Sequence, residues 1–210
     1  MSDNFTVKHY ADTIKKYIEA GYVFDNMLPN QAKSGSKSLI MFHDVDHDIS
    51  LCKNFLTTEK KYGVCATYFL RLHAKNYNML SRESIEMAHE ILNCGGKIGL
   101  HYEPNFWDPT DVGYEDHIKL EMEILSLAIG SRVEIFNLHE PARTGVSLEN
   151  VMPQANRCHN SPYLSEYKYL SDSSCRWREG CFSKHVDRWD KLLVLTHPIW
   201  WYKRCPAENY

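Results

Sequence analysis

Residues 39–46 read LIMFHDVD, an unbroken apolar run that turns acidic at Asp44 and Asp46. Four consecutive apolar residues with no polar alternation describe a strand buried on both faces, and the acidic end marks where that strand leaves the core. Working outward, residues 51–62 read as a helix with Leu51, Phe55 and Leu56 on one face, and CATYFLR at 65–71 is a second β-rich run. Strand, helix, strand is the signature of a parallel crossover unit. Ser81 can cap a further helix, with Glu83 in its first turn and Ile85, Ala88, Ile91 and Leu92 inside, and Gly95-Gly96 stops it before KIGLHY at 97–102. Residues 115–129 carry Ile118, Met122, Leu125 and Ile129 at helical spacing. EIFNLH (134–139), YKYLSD (167–172) and KLLVLTH (191–197) bring the strand candidates to six.

The alternation describes an α/β chain wound into an open parallel sheet or a closed β/α barrel. A nucleotide-binding sheet calls for a glycine-rich loop after its first strand, and here the chain reads FHDVDHD, acidic where a phosphate would sit. QAKSGSKS at 31–38 is the loosest stretch. It separates an N-terminal helical extension, residues 1–37, from residues 38–210, read as a single barrel domain. The helical segment at 10–20 can either complete the outer layer or form a dimer contact.

With 210 residues, 43% hydrophobic and 24% charged, the chain has the composition of one globular domain. Lys and Arg number 24 against 27 Asp and Glu, a formal charge of −3 with no basic block, which argues against nucleic acid as a partner. No apolar run is long enough for a secretory signal or a membrane span, so no membrane insertion and a cytoplasmic location are expected. The seven cysteines form an odd set without metal or disulfide spacing and are expected to be reduced, with Cys175 the one near candidate site residues.

A barrel builds its site from side chains at the C-terminal ends of its strands. Those positions here are Asp44, Asp46, His101, His139, Asp172 and His197. Histidine is frequent, eleven in all, and strand ends meet solvent, so single occurrences carry little weight. The recurrence of His and Asp alone carries more, because His9, His89, His117 and His185 fall on predicted helices where a surface role suffices. Imidazoles and a carboxylate converging from different strands suit one divalent ion with an open coordination position, and zinc is the default for such donors. An ion there would activate water and polarise a carbonyl, leaving a carboxylate and a histidine for proton transfer, which is amide or ester hydrolysis.

Taken in order, HDVDHD, YGVCATYFL, GKIGLHYEP, FNLHEPA, YLSDSSCRWREG and LTHPIWW resemble the polysaccharide deacetylase superfamily (carbohydrate esterase family 4-like) over residues 38–201. The similarity is greatest to the cytoplasmic branch associated with bacterial surface-polysaccharide and lipopolysaccharide gene clusters. The resemblance implies a distorted (β/α) barrel of six or seven strands. By position it makes Asp44 the catalytic base and Asp46 a metal ligand, two roles that Val45 between them leaves exchangeable. The family's second motif has two histidines four apart; this chain has His101, with Pro104 and Asn105 where the second would fall. His139 is placed to replace it, so the implied ligands are Asp46, His101 and His139. Asp172 resembles the residue that orients the general acid, and His197 resembles that acid. His47, Arg176, Trp177, Arg178 and Trp200 are expected to line the substrate, while Asp48 caps the following helix.

The expected function is removal of a formyl or acetyl group from an amino sugar, free or nucleotide- or lipid-linked, in cell-surface glycan synthesis. The alternatives are a metal-free allantoinase-like amidohydrolase and a catalytically silent carbohydrate-binding barrel.

Overall fold

The apolar run at 39–42 lies at the centre of a seven-stranded, all-parallel sheet. The computed structural model describes residues 5–25, 37–107, 113–146 and 162–203. In chain order the elements are α1 (Val7–Glu19), β1 (Val23–Asp25), β2 (Ser38–Val45), α2 (Cys52–Tyr62), β3 (Thr67–Leu70), α3 (Arg82–Asn93), β4 (Lys97–Tyr102), α4 (Tyr114–Ile129), β5 (Phe136–Leu138), α5 (Pro141–Thr144), β6 (Lys168–Ser171) and β7 (Lys191–Thr196). The strand order β5-β4-β3-β2-β7-β6 is that of a barrel whose β5–β6 seam is unpaired among the described residues. The sheet curls into a half-barrel, the distorted barrel expected from the sequence. β1 adds a seventh strand, pairing with the start of β2 at Val23–Ser38. Three residues are too few for periodicity to mark.

All eight residues of β2 are buried, and successive side chains point to opposite faces of a strand. Leu39 and Met41 join the core between sheet and helices, whereas Ile40 and Phe42 join a separate interior cluster with Phe69, Leu193 and Leu195. Leu164 and Tyr167, at the 3-10 turn before β6, complete that cluster. The half-barrel is thus a packed interior with one apolar floor. Burying each such side chain contributes about 1.5–3 kcal/mol before entropy is counted.

Gly99 on β4 faces this interior. A Cβ there would lie 2.4 Å from Cε1 of Phe69, so the missing side chain is what admits the ring, which meets Phe42 edge-on at 5.2 Å.

On the outer face, Glu59 of α2 is 2% exposed and accepts hydrogen bonds from the hydroxyls of Tyr10 and Tyr68, each at 2.8 Å. His43 Nε2 stands 2.8 Å from the same carboxylate, and its Nδ1 2.6 Å from Thr196 Oγ1. A buried carboxylate is tolerated when its lone pairs are used, and here the donors come from α1, β2 and β3. α1 buries Tyr10, Thr13, Ile14 and Tyr17, an i, i+3, i+4, i+7 stripe, and Thr6 caps it. Tyr10 packs on Phe55 (4.3 Å) and Trp201 (5.7 Å), so the N-terminal helix shares the core of the barrel as part of its outer layer.

Ser81 caps α3 and Asp48 caps the turn into α2, as read from the sequence. Two expectations change. His117 is buried against Trp107 rather than at the surface, and His185 is buried at the end of a 3-10 turn rather than on a helix.

Gly99→Ala is expected to destabilise the fold by about 1–3 kcal/mol, because the ring of Phe69 is buried and has nowhere to move. Urea unfolding monitored by circular dichroism measures this; an unchanged midpoint would remove the close-approach argument.

Candidate metal centre and active site

The site is the continuation of the interior-facing rows above the apolar floor. On β2, Ile40 and Phe42 are followed two residues at a time by Asp44 and Asp46. The same period carries Gly99 to His101 on β4, Leu195 to His197 after β7, and Ile135 through Asn137 to His139 at β5. Spacing by two, with Val45 between, puts both aspartates on one face; adjacent aspartates would point to opposite faces.

Asp46, His101 and His139 offer ligand atoms that all lie within 4.8 Å of one another. Asp46 Oδ1 is 3.2 Å from His101 Nε2 and 3.5 Å from His139 Nε2. Asp44 stands beside this trio, its Oδ2 3.7 Å from His101 Nε2. On the opposite side His197 presents Nε2 at 4.0 Å from Asp44 Oδ2 and 3.9 Å from Asp46 Oδ2. Its Nδ1 is held 2.6 Å from Asp172 Oδ1. Asp172 is fully buried and also accepts the His197 backbone N–H (3.0 Å) and the indole N–H of Trp201 (2.7 Å). Three donors thus define one orientation for this carboxylate and for the imidazole it faces.

Burial works against charge on His197, but the carboxylates of Asp172, Asp44 and Asp46 outweigh it and push its pKa up to about 9. Burial likewise opposes charge on His101, and Asp44 and Asp46 raise its pKa above the ordinary value. Desolvation resists ionisation of Asp46, yet His101, His197 and His139 hold its carboxyl well below the usual range. His139 is lowered by burial and by His101.

The donor set fits a divalent cation. Asn137, 1% exposed, donates from Nδ2 to Asp44 Oδ1 at 2.7 Å, so its carbonyl oxygen faces His101 Nδ1 at 2.5 Å. A carboxylate only accepts, so Asn137 can present only its amide hydrogens to Asp44, and His101 must donate from Nδ1. The carboxylates favour a proton on Nε2 in the absence of a cation; loss of that proton would leave a lone pair aimed at the same spot, as a metal ligand requires. The buried Asp46 Oδ1 at the same spot has no hydrogen-bond partner. A cation would satisfy these facing electron pairs together.

Sequence reasoning missed Asn137 and Arg71, and the signal for both was available. Asn137 is one strand period before His139. Arg71 follows the interior Phe69 by the same period; it donates to the Asp46 carbonyl (2.9 Å) and to Glu103 (2.5 Å). Trp201, the last residue of LTHPIWW, donates its indole N–H to Asp172. Of the expected substrate-lining residues, His47 is exposed and pairs with Asn76. Trp177 is 4% exposed and packs on Phe182. Trp200 is half-buried on the turn after His197, and Arg176 and Arg178 are exposed beyond Asp172. The five cysteines among the described residues form no disulfide with one another, and Cys158 and Cys205 lie outside those residues.

Three of the four described non-glycine residues with positive φ flank the site: Glu140 (47°) next to His139, and Ser174 (60°) and Cys175 (56°) just after Asp172. Each costs about 1–3 kcal/mol, and such strain clusters where side chains are aimed for function.

Asn137→Ala is expected to weaken zinc binding about 10–100-fold while the fold persists, because His101 and Asp44 lose their shared anchor. Competition with a chromophoric chelator reads the affinity; wild-type affinity in the variant would reduce Asn137 to packing.

No family model matches the sequence, and no curated protein matches it. Solved structures do. A CE4 family pseudoenzyme from Bacillus anthracis superposes with a TM-score of 0.53 at 14% identity, over 79% of this chain and 56% of that one. A mutant of it with restored enzymatic activity gives 0.55 at 14% identity, over 79% and 58%. A mutant of peptidoglycan deacetylase PdaC from Bacillus subtilis gives 0.54 at 14% identity, over 80% and 78%. The chain spans less than two thirds of the length of the pseudoenzyme structures. The curled parallel sheet, with its strand-end rows converging on one rim, is the fold of the CE4 polysaccharide deacetylases, and this chain has that fold.

Proposed function

We propose that the protein is a metal-dependent amide hydrolase that removes a formyl or acetyl group from an amino sugar, free or nucleotide- or lipid-linked, during cell-surface glycan synthesis. The observation that carries this reading is the opposition of His197 to the Asp46, His101 and His139 trio, with Asp44 between them. The PdaC neighbour, by its name a peptidoglycan deacetylase, supports hydrolysis of an acylated sugar. A cytoplasmic location accompanies this reading. No described helix is long and apolar enough to cross a membrane.

In this reading Asp46, His101 and His139 hold the divalent ion, zinc by donor type. When bound, such an ion polarises a carbonyl and lowers the pKa of water. Asp44, with Oδ1 tied to Asn137, keeps Oδ2 free to take the proton of the attacking water. His197 has its Nδ1 committed to Asp172, so its Nε2–H points into the same space and protonates the departing amine. Asp172 on its other nitrogen raises its pKa, the direction a general acid requires. Asp172 positions that imidazole and stabilises its charge, and Trp201 fixes Asp172 in turn.

Metal content per chain by mass spectrometry, after purification without chelators and again after zinc reconstitution, is the direct test. One ion per chain is expected. His101→Ala should lose metal and turnover together. His197→Ala should keep the metal and lose about 10²–10⁴-fold in kcat, because a general acid acts without ligating. A site emptied by His197→Ala would overturn the role assignment, and a wild type without metal after reconstitution would overturn the zinc reading. Asp172→Asn is expected to slow turnover with folding and metal content retained; an unfolded variant would make its role structural.

A further inference from the structure

Around the end of β6 and the turn that carries Asp172 lies a cavity of about 290 Å³ lined by Tyr169, Ser171, Ser173, Arg176, Trp177 and Arg178 among others. Its charge is unbalanced. Glu179, also in the wall, is committed to Lys168 at 2.6 Å, so this pair is neutral. Arg176 and Arg178 are different: among the described residues neither guanidinium makes a hydrogen bond or ion pair. Gly180 closes one lip, and a Cβ there would stand 3.7 Å from the ammonium of Lys184. The buried indole of Trp177 gives this wall a rigid apolar backing.

The cavity is coupled to the site through β6 and the turn after it. Ser171 Oγ is 2.6 Å from Ser173 Oγ, and Tyr169 is hydrogen-bonded to Ser171. Burial and the charges of Asp44 and Asp172 raise the phenol of Tyr169 above its ordinary pKa, while Arg178 opposes them. Tyr169 thus lies within electrostatic reach of Asp44 and Asp172 as well as of Arg178. The left-handed pair Ser174-Cys175 turns the chain so that Arg176 N–H returns to the Asp172 carbonyl at 3.3 Å.

We propose that this cavity is a subsite for a phosphate or diphosphate group carried by the substrate, bound by Arg176 and Arg178. One guanidinium fork saturates a carboxylate; two unpaired forks and neighbouring hydroxyls match the charge and acceptor number of a phosphoryl group. The subsite deepens the reading of the protein as an N-acyl sugar hydrolase, placing the linked phosphate beside the sugar. Because both arginines are exposed, binding is modest and weakened by salt.

The test titrates inorganic pyrophosphate calorimetrically into the zinc-loaded full chain, Arg176→Ala/Arg178→Ala, the bulk-preserving Arg176→Gln/Arg178→Gln, and His101→Ala. Zinc content and circular dichroism are measured on each. Expected are salt-sensitive binding to the wild type, at least a tenfold loss in both arginine variants with zinc and fold retained, and persistence in His101→Ala. No binding to the wild type, undiminished binding in the arginine variants, or loss in His101→Ala overturns the subsite, the last by assigning the anion to the metal centre. UDP and a short-chain lipid diphosphate, run alongside, identify the source by which binds more tightly than pyrophosphate. Arginine-dependent binding in a chain that hydrolyses no N-acyl sugar would leave the subsite standing and sink the proposed function. Hydrolysis without such binding would do the reverse.

Discussion

Everything in this molecule depends on one geometric constraint: parallel strands all end on the same side, and every second residue of each faces the interior. Because β2, β4, β5 and β7 run together, their interior rows climb from a shared apolar floor at Phe42, Ile135 and Leu195 to a shared polar rim at Asp44, Asn137, His101 and His197. A row that is hydrophobic at one level and polar at the next needs no special loop. Gly99 shows how strict the floor is, since its missing side chain makes room for Phe69 directly beneath His101.

That arrangement brings carboxylates together under low solvent access, and the structure offsets them in two distinct ways. On the outer face Glu59 is neutralised locally by hydroxyls and an imidazole, which ties α1 and α2 to the sheet. On the inner rim, Asp172 is saturated by His197 and Trp201, and one oxygen of Asp44 by Asn137. Asp46 keeps an oxygen with no donor. The saturated carboxylates orient other groups; the unsatisfied one is where a cation is called for. The aromatic contacts of α1 on Trp201 extend this support to the N-terminal segment, through Phe5 and Tyr10.

Much of the fold was legible because its parallel strands read as short apolar runs, fully buried in β2 and β3 and half-exposed in β6, and six of the seven strands found among the described residues were marked that way. β1 did not, since three residues pairing only with the start of β2 leave no periodicity. Among the site residues, Asp44, Asp46, His101, His139, Asp172 and His197 stood out by residue type at strand ends, and the structure gathers all six at one rim. Asn137 was passed over because an amide looks inert until its two neighbours are known. Arg71 was passed over because it follows the last residue of β3 and is neither a metal-ligand nor an acid/base type.

What the sequence by itself determined is which residues reach the rim, because alternation along a strand is local and follows from backbone geometry alone. Which of them face one another was decided by tertiary structure. The strand order sets Asn137 between Asp44 and His101, brings Asp172 to His197 and Trp201, and leaves Arg176 and Arg178 without an ion pair among the described residues. Pairing across the sheet depends on register and curl, and these are properties of the packed interior as a whole rather than of any one segment.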